Sequence, residues 1–264
     1  MLPAYLNDTA GIQLLEDAAW LDANWMWVSA VLGVLNCVFL FAYLQRTKCF
    51  KQKGTKLFSN FTKHHWFGLL LSSVYALHQF EEHGYDIYGR HYMFVPIFNE
   101  QIKPLLGIAV SVRATMYINL LTIWVSFPLC TYLSTSQNMY MPAAISWGTA
   151  VINGLTGHLL PVFNSEYVPG AVQSAFMVPF GLYLLFRVYG GNGLTVGVVI
   201  PLIAGILFHL IALIAPVKIS SESTEDYIVP LFQILGGVIL PLLITLLTKK
   251  TVQLYSRMYV LVNS

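Results

Sequence analysis

Seven uninterrupted apolar stretches of about 20 residues constrain this 264-residue chain more than any other feature. They run near 25–44, 65–83, 113–134, 140–162, 168–189, 195–216 and 227–248. A helix of that length crosses the hydrocarbon core of a bilayer, and a soluble domain has no use for seven of them. Composition agrees: 56% of the residues are hydrophobic and 10% charged, against about 25% charged in a soluble domain. The 14 Lys and Arg and 12 Asp and Glu cannot supply a polar surface around so apolar a core. No internal repeat, linker or low-complexity segment divides the chain. The expected fold is an all-α, polytopic transmembrane bundle of about seven spans. Residues 1–24 form an outer N-terminal segment and 25–264 a single bundle, in the plasma membrane or an endomembrane. A net charge of +2 excludes nucleic acid as a partner. The oligomeric state is left open.

Orientation follows from Lys and Arg, which concentrate on the cytoplasmic side. The loop after the first span carries Arg46, Lys48, Lys51, Lys53, Lys56 and Lys63. With seven spans, Arg187, Lys249, Lys250 and Arg257 join them, and Arg90, Lys103, Arg113 and Lys218 lie opposite. The bias predicts an outer or lumenal N-terminus and a cytoplasmic C-terminus. Cysteines placed at positions 8 and 260 should then label from opposite sides of the membrane; labelling from one side would overturn the seven-span count. Asn7-Asp8-Thr9 becomes an outer glycosylation sequon, and Trp20, Trp25 and Trp27 an outer interfacial belt. No basic segment of a cleavable signal precedes the first span. Cys37, Cys49 and Cys130 have no CxxC spacing and read as single thiols, Cys49 also as a palmitoylation candidate.

Ionisable residues within spans are costly, so they face the bundle interior or water. The second span ends in His78-Gln79-Phe80-Glu81-Glu82-His83. On an ideal helix Glu81 lies about 60° to one side of His78 and Glu82 about 40° to the other, so all three share a face. Tyr75 and Tyr85 fall on the same stripe. A His with carboxylates at i+3 and i+4 is a two-ligand metal unit, an acid–base pair or a polar helix end in headgroup water. Topology places His78, Glu81 and Glu82 at the same outer depth as His158 and His209 late in the fourth and sixth spans. Arg113, Asn119, Tyr167, Gln173 and Ser174, early in the third and fifth, share that depth. Two or three His with one or two Glu suit Zn²⁺ or non-haem iron. Other intramembrane chemistries fit poorly. Seven His, two of them (His64 and His65) at the cytoplasmic edge, are too few for a multi-histidine di-iron oxygenase. No span contains Asp, and no Gly-x-Ser-Gly nucleophile occurs. Asp86 stands where a Glu-Glu-x-x-x-Arg protease motif needs Arg.

The pentapeptide His78-Gln79-Phe80-Glu81-Glu82, followed by Phe98-Asn99, resembles the HXXEE family of integral membrane proteins. Met116-Tyr117-Ile118-Asn119 leading to Trp124, the Asn153–His158 segment and Tyr167-Val168-Pro169-Gly170 with Ser174 extend the resemblance across residues 25–215. Asn153 and His158 are five apart, about 140° around an ideal α-helix. The seventh span and the acidic segment Glu222–Asp226 lie outside the resemblance. It implies a metal-binding or enzymatic membrane protein and no particular reaction.

The leading expectation is a metal-dependent membrane enzyme with Zn or Fe, opening toward the outer or lumenal leaflet. A lipid or isoprenoid substrate can reach such a site from the bilayer. His78, Glu82, His158 and His209 are the expected ligands. Glu81 is the acid–base residue, in a catalytic set with His78 and Glu82. Asn119, Asn153 and Tyr167 orient the ligands by hydrogen bonds. Two alternatives stay open: a proton-coupled transporter using the same carboxylates, and a non-catalytic membrane subunit.

Overall fold

The computed structural model describes residues 9–49, 63–136, 140–163, 167–189, 194–220 and 223–249. They are overwhelmingly helical, and among them the one β-like pairing is the bridge between Tyr85 and His91. Among the described residues, two short helices, α1 (Ala10–Leu15) and α4 (Phe94–Leu106), accompany seven long ones. These are α2 (Trp20–Cys49), α3 (Lys63–His83), α5 (112–136), α6 (141–163), α7 (171–189), α8 (Thr195–Ile219) and α9 (Glu225–Lys249). Each expected span has its counterpart in one long helix. From α5 onward every long helix contains at least one π-helical turn.

Among the described residues, five helices are long and apolar enough to cross a membrane: Trp20–Tyr43, Val112–Ser134, Ala171–Tyr189, Thr195–Ile219 and Glu225–Lys249. The seven expected spans are thus not all confirmed by that measure; the two long helices that fall short of it are α3 and α6. Both are sheltered by their neighbours. The last turns of α3 are polar because they build the site described below. Every residue of α6 from Met141 to Val151 is buried, so protein rather than lipid surrounds it. A helix in that position needs small residues more than apolar ones, because packing inside a bilayer rests on close van der Waals contact. Gly148 of α6 supplies one: a Cβ there would meet the Pro201 carbonyl of α8 at 2.2 Å, and a Cβ on Gly205 would lie 2.7 Å from the Gly148 oxygen.

The ends of the bundle carry its ion pairs. Arg113 Nε donates to Asp22 Oδ2 at 3.2 Å, and its Nη1 lies 3.4 Å from Asp226 Oδ2. Ser111 Oγ caps α5 by accepting from the Ala114 N–H at 2.9 Å and donates to Glu225 Oε2 at 2.6 Å. The acidic segment outside the resemblance thus ties α9 to α5 and α2. Trp25 departs from the expected interfacial belt: it is fully buried beside His83, whereas Trp20 and Trp27 are exposed. Cys130 is buried and Cys37 half-buried, neither in a disulfide. The sequon at Asn7 and the side chains of His64, His65, Cys49 and the basic loop lie outside the described residues.

Candidate metal centre

Helix α3 ends at His83 because Gly84 follows. The Gly84 N–H closes on Phe80 O at 2.8 Å, and a Cβ there would collide with that oxygen. Tyr85 therefore leaves the stripe assigned to it; it is exposed and stacks on His91 beyond the helix. The chain turns over 84–92, locked by Asp86. One Asp86 oxygen accepts from the Tyr88 and Arg90 N–H groups, each at 2.9 Å, and the other pairs with the Arg90 guanidinium at 2.6 Å. The Arg90 guanidinium also lies over the Tyr88 and Tyr167 rings. This cap joins the end of α3 to Tyr167, just ahead of α7.

Beneath it, Glu82 sits among three imidazoles. Its Oε1 lies 2.6 Å from His158 Nε2 and 3.2 Å from His78 Nε2, and its Oε2 lies 3.3 Å from His83 Nε2. His78, His83 and His158 are fully buried and Glu82 nearly so. One ligand atom each from His78, Glu82 and His158 falls within 4.8 Å of the others. The His158 ring is oriented by its other nitrogen, since Nδ1–H donates to the Pro169 carbonyl at 2.8 Å. That bond leaves the Nε2 lone pair directed at the cluster, as in many metal-ligating histidines. His158 Nε2 nonetheless makes no well-aligned hydrogen bond, despite the 2.6 Å approach to Glu82. A buried nitrogen aimed at a carboxylate without a proper hydrogen bond matches the donor geometry of a cation site. Gly170 forms the wall: with φ at +93°, a Cβ would stand 2.8 Å from the His158 ring and 2.9 Å from Glu82 Cγ.

The two adjacent carboxylates have different partners. Glu81, expected as the acid–base residue, has its hydrogen bonds with the first turn of α7 and Tyr167 instead of with the imidazoles. Its Oε1 accepts from the Val172 N–H and the Tyr167 hydroxyl, both at 3.2 Å, and its Oε2 from the Gln173 N–H at 3.0 Å. The first turn of α7 follows Gly170, which has no capping side chain, so Glu81 reaches across from α3 to satisfy the orphan amides. Burial and the neighbouring Glu81 hold the Tyr167 phenol above its usual range, so Tyr167 remains a proton donor to Glu81 at neutral pH.

His209, an expected ligand, stands outside the group of His78, Glu82 and His158. Its Nδ1–H donates to Gly205 O at 2.7 Å and its Nε2 lies 3.3 Å from Asn153 Oδ1. Asn153 is interposed, with its Nδ2 3.2 Å from His78 Nε2. Asn119 lies 3.3 Å from His83 Nε2. Asn153 adjoins the site because residues Gly154–Leu159 are π-helical. In a π turn, hydrogen bonds run from i to i+5, so residues five apart stack on one face instead of diverging. His83 was missed because it lies about 140° from His78 on the helix; the two oxygens of Glu82 reach both sides of that angle.

Residues 69–184 match the family model described as protein of unknown function with HXXEE motif. The match lies inside the wider 25–215 resemblance and contains His78, Glu82, His158, Asn119, Asn153 and Tyr167. No curated protein and no solved structure matches the chain. The likeness to the HXXEE family model thus lies over residues 69–184, the part of this helical chain that builds the cluster around Glu82.

Proposed function

We propose that His78, Glu82 and His158 hold a divalent metal ion and that the protein is a metal-dependent membrane enzyme acting on a lipid or isoprenoid. The observation that carries the reading is the convergence of two imidazoles and one carboxylate, all buried, with donor atoms within 4.8 Å of one another. Three protein ligands of this type are the set that catalytic zinc sites use, with a further position left for water or substrate. Two His and one carboxylate equally suit non-haem Fe²⁺. Such an ion polarises a carbonyl or phosphoryl oxygen and lowers the pKa of bound water.

The surrounding residues serve that chemistry in distinct ways. Pro169 O fixes the His158 tautomer, and Asn153 steadies His78. Glu81 and Tyr167 anchor the α7 terminus that carries Gly170 against the cluster. His83, on the far oxygen of Glu82, is placed to exchange a proton with that carboxylate. The site is built on α3 and α6, in a chain with five other helices apolar enough for a bilayer, which favours a substrate arriving from the membrane.

The test is metal analysis of the purified full chain. About one equivalent of Zn or Fe per chain is expected, together with a ligand-field spectrum after Co²⁺ exchange characteristic of nitrogen and oxygen donors. His158→Ala should abolish both, and His209→Ala should leave both in place. Metal-free protein that also fails to take up Co²⁺ would remove the metal reading.

A further inference from the structure

A second feature lies at mid-depth, away from the cluster. A cavity of about 370 Å³ opens between α2, α3 and α5. Its lining includes Ser29, Leu32, Asn36, Ser72, Ser73 and Trp124. Leu32, Ser73 and Ile123, all of them lining residues, stand within one residue of the midpoints of Trp20–Tyr43, Lys63–His83 and Val112–Ser134. In a bilayer this is hydrocarbon depth. The rim is apolar and exposed, with Leu32 at 47% and Trp124 at 36%. The α5 side of the cavity includes the π turn Thr122–Ser126, a distortion that often accompanies functional sites.

The floor is polar. Asn36 Nδ2 donates to Leu69 O and Ser73 Oγ, each at 2.8 Å. Ser73 Oγ turns back on Leu69 O at 3.4 Å, the usual resting place of a serine in an apolar helix. Ser29 is fully buried yet its Oγ makes no hydrogen bond, and the buried Ser72 Oγ makes none either. Water does not satisfy such groups at this depth, because the bilayer core holds essentially none. A cavity with an apolar rim at hydrocarbon depth draws its filler from the lipid. Among the described residues no ionisable one lines it, so a charged headgroup would enter at a cost of several kcal/mol. Two serine hydroxyls each offer and seek a proton, and a lipid hydroxyl answers both needs.

We infer that this groove is a binding site for an uncharged lipid alcohol. The hydroxyl lies against Ser29 and Ser72, and the chain leaves past Leu32 and Trp124. The volume falls in the range of small-molecule sites. Ser72 lies six residues along α3 from His78, about 9 Å of helix rise, and the assignment of the groove does not depend on a metal at Glu82.

The experiment uses the full chain in nanodiscs with a long-chain fatty alcohol carrying a mid-chain diazirine. Saturable photolabelling is expected on peptides spanning 29–36, 69–76 or 123–128. Unlabelled alcohol should displace the probe about tenfold more effectively than the alkane of equal length, the discrimination of one to two hydrogen bonds. Ser72→Leu should abolish labelling by filling the groove. Ser29→Ala with Ser72→Ala should leave the fold intact and erase the preference for alcohol over alkane. Glu82→Gln should leave labelling unchanged, which separates this site from the metal reading. Labelling spread over outward residues such as Phe41 and Tyr132, or equal competition by alkane and alcohol, would show annular lipid only and overturn the inference.

Discussion

Replacing Glu82 and replacing Glu81 should produce different defects, although the two are neighbours in sequence. Glu82→Gln is expected to lower metal affinity by more than the 10- to 100-fold seen on removing a group that merely orients a ligand, roughly 10³-fold or more. Activity should fall with it, and thermal stability in the metal-free form should change little. The reason is geometric: both Glu82 oxygens are surrounded by imidazole nitrogens at 2.6–3.3 Å. An amide offers one neutral oxygen to a cation and turns two N–H donors toward ring nitrogens. Glu81→Ala should do the reverse. It removes the acceptor for two α7 amides and the Tyr167 hydroxyl in a buried setting, a loss of about 2–3 kcal/mol. The melting temperature should drop by several degrees, with metal binding weakened only through the displaced α7 terminus. Glu81→Gln keeps one acceptor and should fall between wild type and Glu81→Ala. Metal titration and thermal unfolding of the same preparations read both effects. If Glu81→Ala lost metal as completely as Glu82→Gln and melted like wild type, the two roles would be reversed.

How much of this was legible before folding varies with the physical cause. The long helices follow from runs of apolar residues, a local property, and all seven stretches became helices. Whether a helix meets lipid is not local. α6 has the small and polar residues of a central helix, and its burial from Met141 to Val151 depends on what surrounds it. Within the site, α-helical spacing placed His78 and Glu82 correctly because α3 is regular throughout. Spacing misled at Asn153 and His158 because six π-helical residues, Gly154–Leu159, rotate one against the other, and no residue between them announces such a turn. Depth brought His209 to the right level, but depth carries no direction. The Gly205 carbonyl takes its Nδ1 and Asn153 stands between it and His78. The division of labour between Glu81 and Glu82 was hidden for another reason. A carboxylate's role depends on which donors face it, and those facing Glu81 belong to backbone about ninety residues further along the chain.

Gly170→Ala should be the most damaging change at the site that alters no charge and removes no ligand. Two costs coincide there. The backbone φ of +93° lies where an L-residue is strained, by about 1–3 kcal/mol. The new methyl would also press on the His158 ring at 2.8 Å and on Glu82 Cγ at 2.9 Å, distances that real Cβ contacts essentially never reach. Neither neighbour can move away freely. The His158 ring is held by the Pro169 carbonyl one residue before the glycine, so relieving the clash means breaking the bond that fixes its tautomer. Glu82 is fixed among three imidazoles. The backbone could retreat instead, but α7 begins at once, and its first amides are held by Glu81. Strain and displacement therefore fall on two of the three proposed ligands together. The expected result is a folded, helical protein whose metal affinity falls by about 10²-fold or more, since ligand geometry is lost while ligand identity is kept. Ala171→Ser, one residue further along, adds comparable bulk without the left-handed backbone and should retain the metal. Wild-type affinity in Gly170→Ala would mean that the loop can yield, and that Gly170 does not set the spacing between His158 and Glu82.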